Sequence, residues 1–296
     1  MAADIPFTIG ICAYNEAENI EGSIRSAYSQ RLDGFTHAET IVVSGASTDG
    51  TDGIVRRLSE EFRSLRLIRQ ETREGKNSAV NLILDSKSTE LIVILNADNS
   101  FVDADGLQRL LEPFRDPGVG MVGGHPLPTN DPGSLPGFAA VLFWEMHHRI
   151  ALRSPKIGEL VAYRDLGFRL PTHLQSDEDL VRLNLEGLGY TAVYAPEARI
   201  RNRGPETVAD LIKQRTRVNI GQCYLQKQAG YISPTWDVGL LYQAKLEAAR
   251  IHGFRPFKIA ATATIEAYAR LKAKMHVASD RGDMNVWDPV ETTKKL

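Results

Sequence analysis

The chain has 296 residues, of which 43% are hydrophobic and 24% are charged, as in ordinary globular proteins. Its 35 basic and 37 acidic residues leave no basic field, so no nucleic-acid partner is expected. The two cysteines, Cys12 and Cys223, favour a reducing compartment, with one disulfide as the alternative. The first ten residues lack a signal-peptide pattern, and the longest apolar run, residues 137–144, is far shorter than the about 20 residues that span a bilayer. We therefore expect a soluble, cytoplasmic protein.

The first 120 residues alternate between apolar runs and amphipathic patterns. The apolar runs predict strands over 7–14, 39–44, 65–70 and 90–95, and the amphipathic patterns predict helices over 16–29, 50–62, 77–86 and 104–114. Strands with near-continuous apolar runs, separated by helices, predict a parallel sheet with helices on both faces. Ligands of such sheets bind beyond the carboxyl ends of the strands, so the loops at those ends are the first candidates for a site.

The regular alternation ends near residue 120. A segment rich in glycine and proline, residues 120–137, predicts a strand that runs into a long loop. A helix over 138–152, a short strand over 158–164 and a capped helix over 176–190 are predicted next. From residue 205 to residue 275 the pattern is mostly helical, with a break at 230–236.

A polar loop follows each of the first four predicted strands. The loops are CAYNEAENI (12–20), VSGASTDGT (43–51), REGKNSAVN (73–81) and LNADNS (95–100). Each is weak evidence by itself, because Ser, Asp and Asn are common at turns and helix N-caps. Their order and spacing along one chain are far more informative.

In these loops and in three later segments, the chain resembles the family 2 glycosyltransferases, which are nucleotide-diphosphate-sugar-dependent enzymes. The later segments are GELVAYR (158–164), SDEDLVRLNLEGLGYTAVYAPEA (176–198) and GPETVADLIKQRTRVNIGQ (204–222). The resemblance covers about residues 6–220. It implies an α/β fold of the GT-A type, with a Rossmann-like, mostly parallel sheet, helices on both faces and a helical C-terminal extension.

The resemblance also implies a domain plan and a reaction. A GT-A catalytic domain over 1–225 would comprise a nucleotide-sugar-binding part to about 125 and an acceptor-binding part over 126–225, followed by a helical extension over 226–296. The reaction would move a sugar from a UDP- or GDP-sugar to a hydroxyl of a glycan, a lipid-linked acceptor or a small molecule, with inversion and the help of Mg²⁺ or Mn²⁺. The alternative is a catalytically silent nucleotide- or glycan-binding member of the same fold.

The donor residues follow by resemblance from the first four loops. The nucleoside slot would be lined by Ala13, Tyr14 and Glu16. Ser44 stands where the family usually has an aspartate that bonds the base or ribose, so the choice of nucleotide stays open. Lys76, with Arg73 as the alternative, would contact the base or a phosphate.

The segment Asn96, Ala97 and Asp98 stands at the family's metal-binding Asp-x-Asp motif. Asn96 can still accept a hydrogen bond from a ribose hydroxyl through its amide oxygen. Asp98 keeps the metal carboxylate, and Mg²⁺ or Mn²⁺ needs only one or two protein carboxylates when a diphosphate supplies further oxygens. A capping aspartate in a loop is the plain alternative.

The catalytic base would come from the acidic run at the start of the helix over 176–190. Asp179 is the candidate by its Glu-Asp match, with Asp177 and Glu178 as alternatives because the spacing to the following Gly-Tyr is one residue shorter than in many relatives. Acidic residues in a first helical turn also complement the helix dipole, which is the structural alternative.

Two further positions complete the expected site. Gln214, Arg215 and Arg217 resemble the Gln-x-x-Arg-Trp motif and would bind a phosphate or an acceptor hydroxyl, a solvated basic helix face being the alternative. Asn202 stands where some relatives have a histidine near the metal. The amphipathic segments past residue 220 predict packing against the catalytic domain, with peripheral membrane contact as the alternative.

Overall fold

The structure, a computed structural model, describes residues 3–174, 176–251, 253, 255–279 and 290–293. Residues 280–289 and 294–296 of the predicted extension lie outside the described residues.

A single eight-stranded sheet forms the centre of the fold. Its strands are β1 (Ile5–Ala13), β2 (Phe35–Ser44), β3 (Leu65–Arg69), β4 (Leu91–Asn96), β5 (Ser100–Phe101), β6 (Val119–Pro128), β7 (Leu160–Arg164) and β8 (Thr191–Asn202). They lie in the order β3-β2-β1-β4-β7-β6-β8-β5. The first four strands are parallel to one another, whereas β7 runs antiparallel between β4 and β6.

The described helices follow the strands in βα alternation and then form the C-terminal extension. They are α1 (Ile20–Tyr28), α2 (Thr51–Glu61), α3 (Lys76–Ser86), α4 (Gly106–Leu111), α5 (Leu135–Ala151), α6 (Asp177–Gly187), α7 (Val208–Ala229), α8 (Val238–Ile251) and α9 (Pro256–Ala278). Short 3₁₀ turns occupy Glu112–Arg115, Pro234–Trp236 and Glu291–Thr293.

Helices cover both faces of the sheet, as the apolar strands predict. Buried side chains of α1, α2 and α4 pack on one face, and those of α3 and α6 pack on the other. Gly10, in the middle of β1, permits the close approach of α3, because a Cβ there would lie 2.8 Å from Cγ2 of Ile83. β1 and β4 pair in parallel, with Cys12 opposite Asn96, so their carboxyl ends lie side by side.

The structure differs from the sequence-based expectation in three elements. The first helix begins at Ile20 instead of residue 16, because backbone amides of the preceding residues bind the β2–α2 loop. β2 begins at Phe35, four residues before its apolar core. β8, a strand of 12 residues, was not predicted at all, since its burial does not follow a simple alternation.

The C-terminal helices α8 and α9 pack against α5 through one side of each helix. Ala248, Ala249 and Ile259 of α8 and α9 are buried with Phe138 and Leu142 of α5. The prediction of core packing for these amphipathic segments is thus confirmed for their inner sides. Among the described helices, none combines the length and hydropathy needed to cross a bilayer.

Candidate active site

The candidate site is a cavity of about 920 Å³ at the carboxyl ends of β1 and β4. Side chains from the first, third and fourth βα loops line one end of the cavity, which we call the donor end. Residues of α5, α8 and α9 line the other end, which we call the extension end. The segment before β7 and the helices α6 and α7 lie between the two.

The loops after β1 and β2 bind each other through backbone amides. The amide of Asn15 donates to Oγ of Ser47 at 3.1 Å, that of Glu16 to Oγ1 of Thr51 at 2.8 Å, and that of Ala17 to Oδ2 of Asp49 at 3.0 Å. In this tight turn Asn15 adopts a φ of +52°, in the left-handed region that asparagine tolerates better than most residues. These contacts fix the wall that carries Tyr14, whose ring lies 3.9 Å below the guanidinium of Arg73.

The fourth loop holds an amide–carboxylate network. Nδ2 of Asn96 donates to Oε2 of Glu159 at 2.5 Å, and Nδ2 of Asn99 reaches the same oxygen at 3.3 Å. Nδ2 of Asn202 donates in turn to Oδ1 of Asn99 at 3.2 Å. Glu159 lies opposite the end of β4 because β7 runs antiparallel to it, with Leu160 in register with Leu95.

Asp98 lies next to this network and is flanked by negative charge. Burial, followed by the charges of Glu159 and Glu16, raises the pKa of Asp98 to about 7. Three carboxylates facing one region of the cavity favour a bound cation, which would lower that pKa again.

Lys76, at the first turn of α3, meets the acidic residues at the start of α6. Its Nζ lies 2.8 Å from Oδ2 of Asp177 and 3.2 Å from Oε1 of Glu178. Burial alone would lower the pKa of Lys76, but the two carboxylates outweigh it and hold the pKa well above its usual value. Lys76 therefore stays charged and faces the donor end.

The three acidic residues of α6 have different environments. Asp177 and Glu178 hydrogen bond to each other. Burial and the Glu178 charge raise the pKa of Asp177. Burial would also raise the pKa of Glu178, but the charges of Lys76 and Lys156 together with the hydrogen bonds to this carboxylate lower it. Asp179 points away from Lys76 and is only 3% exposed. Its oxygens accept two hydrogen bonds of 2.7 Å from Nζ of Lys156, one of 2.8 Å from Gln222 and one of 3.2 Å from Tyr231.

The residues of α7 divide between the two ends of the cavity. The negative charges of Asp98, Glu159, Asp177 and Glu178 act on Arg217. Burial lowers the pKa of Arg217, but the ordinary pKa of an arginine is so high that the guanidinium stays charged. Arg215 instead binds Glu266 of α9 at 2.8 Å and lies over the ring of Phe143 at 4.7 Å. Gln214 lines the cavity close to them.

The structure brings almost all of the predicted site residues to this one cavity. The residues that line it are Ala13, Tyr14, Glu16, Lys76, Asn96, Ala97, Asp98, Asp177, Glu178, Asp179, Gln214, Arg215 and Arg217. Ser44 is the exception. It is fully buried and donates to Oγ of Ser47 at 2.9 Å, so that the next residue, Gly45, lines the cavity instead.

Several cavity residues are absent from the sequence-based predictions, among them Glu159, Lys156 and His147. Glu159 carries a charge directly before an apolar strand, which is a signal that could have identified it. Lys156 gives no local signal, because its contact with Asp179 spans 23 residues. His147 lies in a predicted helix, and both of its ring nitrogens are buried without a hydrogen-bond partner among the described residues.

A divalent cation fits the donor end by the chemistry of its oxygen donors. Asp98 supplies the carboxylate, and hard cations in such sites take one or two carboxylates together with substrate phosphates. Within the described ranges, no group of three or more His, Cys, Asp or Glu side chains could hold a metal by itself.

Solved structures with the same architecture define the class of fold. A mannosyltransferase from Pyrobaculum calidifontis, solved with GDP-Man and Mn²⁺, superposes with a TM-score of 0.63 at 24% identity, covering 93% of this chain and 87% of that one. Glucosyl-3-phosphoglycerate synthase from Mycobacterium tuberculosis, solved with Mn²⁺, UDP and phosphoglyceric acid, gives a TM-score of 0.54 at 17% identity over 77% of this chain and 80% of that one. The fold is that of the GT-A glycosyltransferases.

The family model for "Glycosyl transferase family 2" matches residues 8–164, which include the polar loops after all of the first four predicted strands. The chain belongs to this family and is a glycosyltransferase.

Two curated relatives extend the similarity beyond residue 164. Glycosyltransferase AglE of Haloferax volcanii is 26% identical over 231 residues, which are 75% of each chain. The poly-beta-1,6-N-acetyl-D-glucosamine synthase of Staphylococcus aureus is 27% identical over 224 residues, covering 71% of this chain. The matched part spans about half, 53%, of the length of that synthase.

Proposed function

We propose that the protein transfers a sugar from a UDP- or GDP-sugar to a hydroxyl of an acceptor, with inversion and with the help of Mg²⁺ or Mn²⁺. The observation that carries this proposal is the meeting of Asp98, Glu16 and Glu159 with Lys76 and Arg217 at the donor end. A diphosphate needs cationic side chains, and a cation shared with that diphosphate needs carboxylates.

The donor would lie across the carboxyl ends of β1 and β4. Ala13, Tyr14 and Glu16 would border the nucleoside, with Arg73 stacked on the Tyr14 ring at one side. Lys76 and Arg217 would neutralise the diphosphate. The Nδ2 atom of Asn96 donates to Glu159. Its amide oxygen would therefore be the atom that accepts a hydrogen bond from a ribose hydroxyl.

Asp98 would hold the divalent cation. When bound, such a cation stabilises the charge that develops on the departing diphosphate, a contribution of several kcal/mol. The raised pKa of Asp98 supports this assignment, because a carboxylate crowded by Glu159 and Glu16 gains most from a positive charge. The two neighbouring structures were solved with Mn²⁺ and with GDP-Man or UDP, which supports a nucleoside diphosphate and a divalent cation here.

For the base, the contacts of α6 favour the Asp177–Glu178 pair over Asp179. A general base needs a lone pair directed at the acceptor hydroxyl. Both oxygens of Asp179 already accept hydrogen bonds, two of them from Lys156. Glu178 is 18% exposed, so its carboxylate can reach an acceptor, and we assign the proton transfer to Glu178, with Asp177 and Asp179 as the alternatives.

Calorimetric titration with UDP and GDP, each with and without Mn²⁺, tests the donor site. The expected result is Mn²⁺-dependent binding of one nucleotide, which is lost in Asp98→Ala. Absence of binding by both nucleotides under all four conditions would contradict the proposed donor.

The base is tested with Asp177→Asn, Glu178→Gln and Asp179→Asn, by following release of the nucleoside diphosphate from the matching sugar donor. A base contributes about 10²–10⁴-fold to turnover, so Glu178→Gln should lose that factor while still binding nucleotide. If Asp179→Asn shows the larger loss at unchanged stability, the base is Asp179.

A further inference from the structure

The extension end of the cavity is lined mostly by apolar side chains, and the polar side chains of Lys245, Thr262, Glu266 and Arg270 complete its wall. Phe143 and Met146 of α5, Val238 and Leu241 of α8, and Ile259 and Ala263 of α9 line it. We call this space the apolar chamber. It is continuous with the donor end, so a molecule lying in the chamber reaches toward the acidic residues of α6.

Several side chains in the cavity wall carry buried polar atoms that have no partner among the described residues. Besides Oε1 of Gln70 and Oγ1 of Thr262, they include both ring nitrogens of His147, Oε1 of Gln222 and Oδ1 of Asn219. Gln222 adjoins the acidic residues, since its Nε2 donates to Asp179 at 2.8 Å, whereas Asn219 adjoins the extension, since its Nδ2 donates to Glu266 at 3.2 Å. We call His147, Gln222 and Asn219 the polar collar.

A buried polar atom without a partner in the protein is costly, and such an atom is completed by an ordered water or by a ligand group. Burial lowers the pKa of His147 to about 3, so its ring is neutral and offers one donor and one acceptor. The two amide oxygens of the collar are acceptors, so a ligand group that fits the collar donates hydrogen bonds, as a hydroxyl does.

The chamber opens onto an apolar surface of the extension. Val238 and Tyr242 line the cavity and are nevertheless 80% and 64% exposed. Nearby surface positions of the extension are also large and apolar, including Ile232 and Leu246. Residues 238–278 contain seven lysines and arginines against two glutamates, an excess that would attract an anionic amphiphile.

We propose that the acceptor is an amphiphile, with a polar head that binds at the collar and a long apolar chain that lies in the chamber. This inference rests on the proposed function, because it concerns the acceptor of that same transfer. Each methylene that leaves water for the chamber makes binding more favourable, whereas a glycan would have to desolvate part of its hydroxyls against the apolar side chains of the wall.

Chain-length series of simple amphiphiles test the proposal. Methyl, hexyl and octyl β-glucoside, and the matching alkyl phosphates, are titrated below micelle formation while the fluorescence of Trp144 and Trp236 in the cavity wall is followed. We expect affinity to rise about fourfold per buried methylene in at least one series, and the methyl compounds to give no saturable signal. The series that responds identifies the head as neutral or anionic.

Two variants on α9 locate the chain. Ala263 is exposed into the cavity, so Ala263→Phe should fill the chamber and lower the affinity for the octyl compound by at least tenfold. Thr264→Phe adds a similar ring at an exposed position outside the cavity wall and should leave that affinity unchanged. Both variants should bind nucleotide like the unmodified protein, which shows that each is folded.

Affinity that does not depend on chain length in both series would overturn the proposal, as would equal behaviour of Ala263→Phe and Thr264→Phe. Light scattering on the same samples shows whether a second copy covers the chamber instead; a dimer that binds no probe also overturns it. Nucleotide titration distinguishes this failure from failure of the proposed function, because the donor end binds nucleotide without any acceptor.

Discussion

The two ends of the cavity are built on different chemistry. At the donor end, charged side chains meet opposite charges over short distances, as Lys76 does with Asp177 at 2.8 Å. At the extension end, the walls are mostly apolar and large side chains such as Val238 are exposed. A charged ligand thus requires charged and polar groups that are already positioned in the protein before it binds. An apolar chain requires only a pocket of suitable shape.

The largest effect is expected where the two ends join, at the buried pair of Lys156 and Asp179. Lys156→Met leaves a carboxylate that is 3% exposed without its counter-charge and should lower the free energy of unfolding by about 3–5 kcal/mol. Urea denaturation measures this loss. Adding Asp179→Asn should recover part of it, whereas Lys274→Met, on an exposed position of α9, should change stability by less than about 0.5 kcal/mol. A similarly small change for Lys156→Met would show that the Lys156–Asp179 ion pair contributes nothing to stability.

The next effect concerns the charge of the donor end. Asp98→Asn keeps the shape of the side chain but removes the carboxylate, and should lower turnover by about 10²–10³-fold through loss of the cation. Asp116→Asn is the matched control, because this carboxylate caps the amide of Gly118 at 2.8 Å in a surface turn outside the cavity. Equal turnover in the two variants would remove Asp98 from the mechanism.

A smaller effect follows from the pKa of Asp98, which burial and the charges of Glu159 and Glu16 raise to about 7. A cation binds the ionised carboxylate, so protonation competes with it and Mn²⁺-dependent nucleotide affinity should fall as the pH decreases. Between pH 8 and pH 6 the ionised fraction of such a group falls about tenfold, and calorimetry should show a loss of that order. In Asp98→Asn the residual nucleotide affinity should not follow this pH dependence; a profile identical to that of the unmodified protein would assign the titration elsewhere.

The smallest effect is expected on the outer surface of the extension. Phe257 is 89% exposed, so Phe257→Ser should change the free energy of unfolding by less than about 0.5 kcal/mol. The same type of residue in the sheet core, Phe7, is fully buried, and Phe7→Ala should cost about 3–5 kcal/mol. Thermal denaturation of the two variants compares them directly. A large loss for Phe257→Ser would mean that this surface is covered in the folded protein.

Much of the donor half could be predicted from the sequence because its signals are local. Near-continuous apolar runs predict β1 and β4, and the rule for parallel sheets then places Asp98 at their carboxyl ends. The place of Glu159 depends on the antiparallel direction of β7, which the five residues of that strand do not encode. β8 escaped prediction because Pro196 and charged residues interrupt its apolar pattern.

The role of each acidic residue in α6 could not be predicted either. The motif places Asp177, Glu178 and Asp179 on one helical turn. Their roles can be distinguished only by the residues of other elements that they contact. Lys76 lies about a hundred residues earlier, at a separation of 102 from Glu178, and Tyr231 follows Asp179 by 52 residues. Such pairs are set by tertiary packing, which residue spacing does not report.

The four hydrogen bonds of Asp179 also bear on how the chain acquires its shape during translation. The carboxylate joins segments that precede it by 23 residues and follow it by 43 and 52. Until Tyr231 has left the ribosome, the start of α6 lacks part of its anchoring, and contacts of such separation form late because long loops must close first. We therefore expect a nascent chain stopped after β8 to hold its sheet but not its acidic turn. Maturation of the catalytic residues and docking of the C-terminal helices would then be one cooperative event.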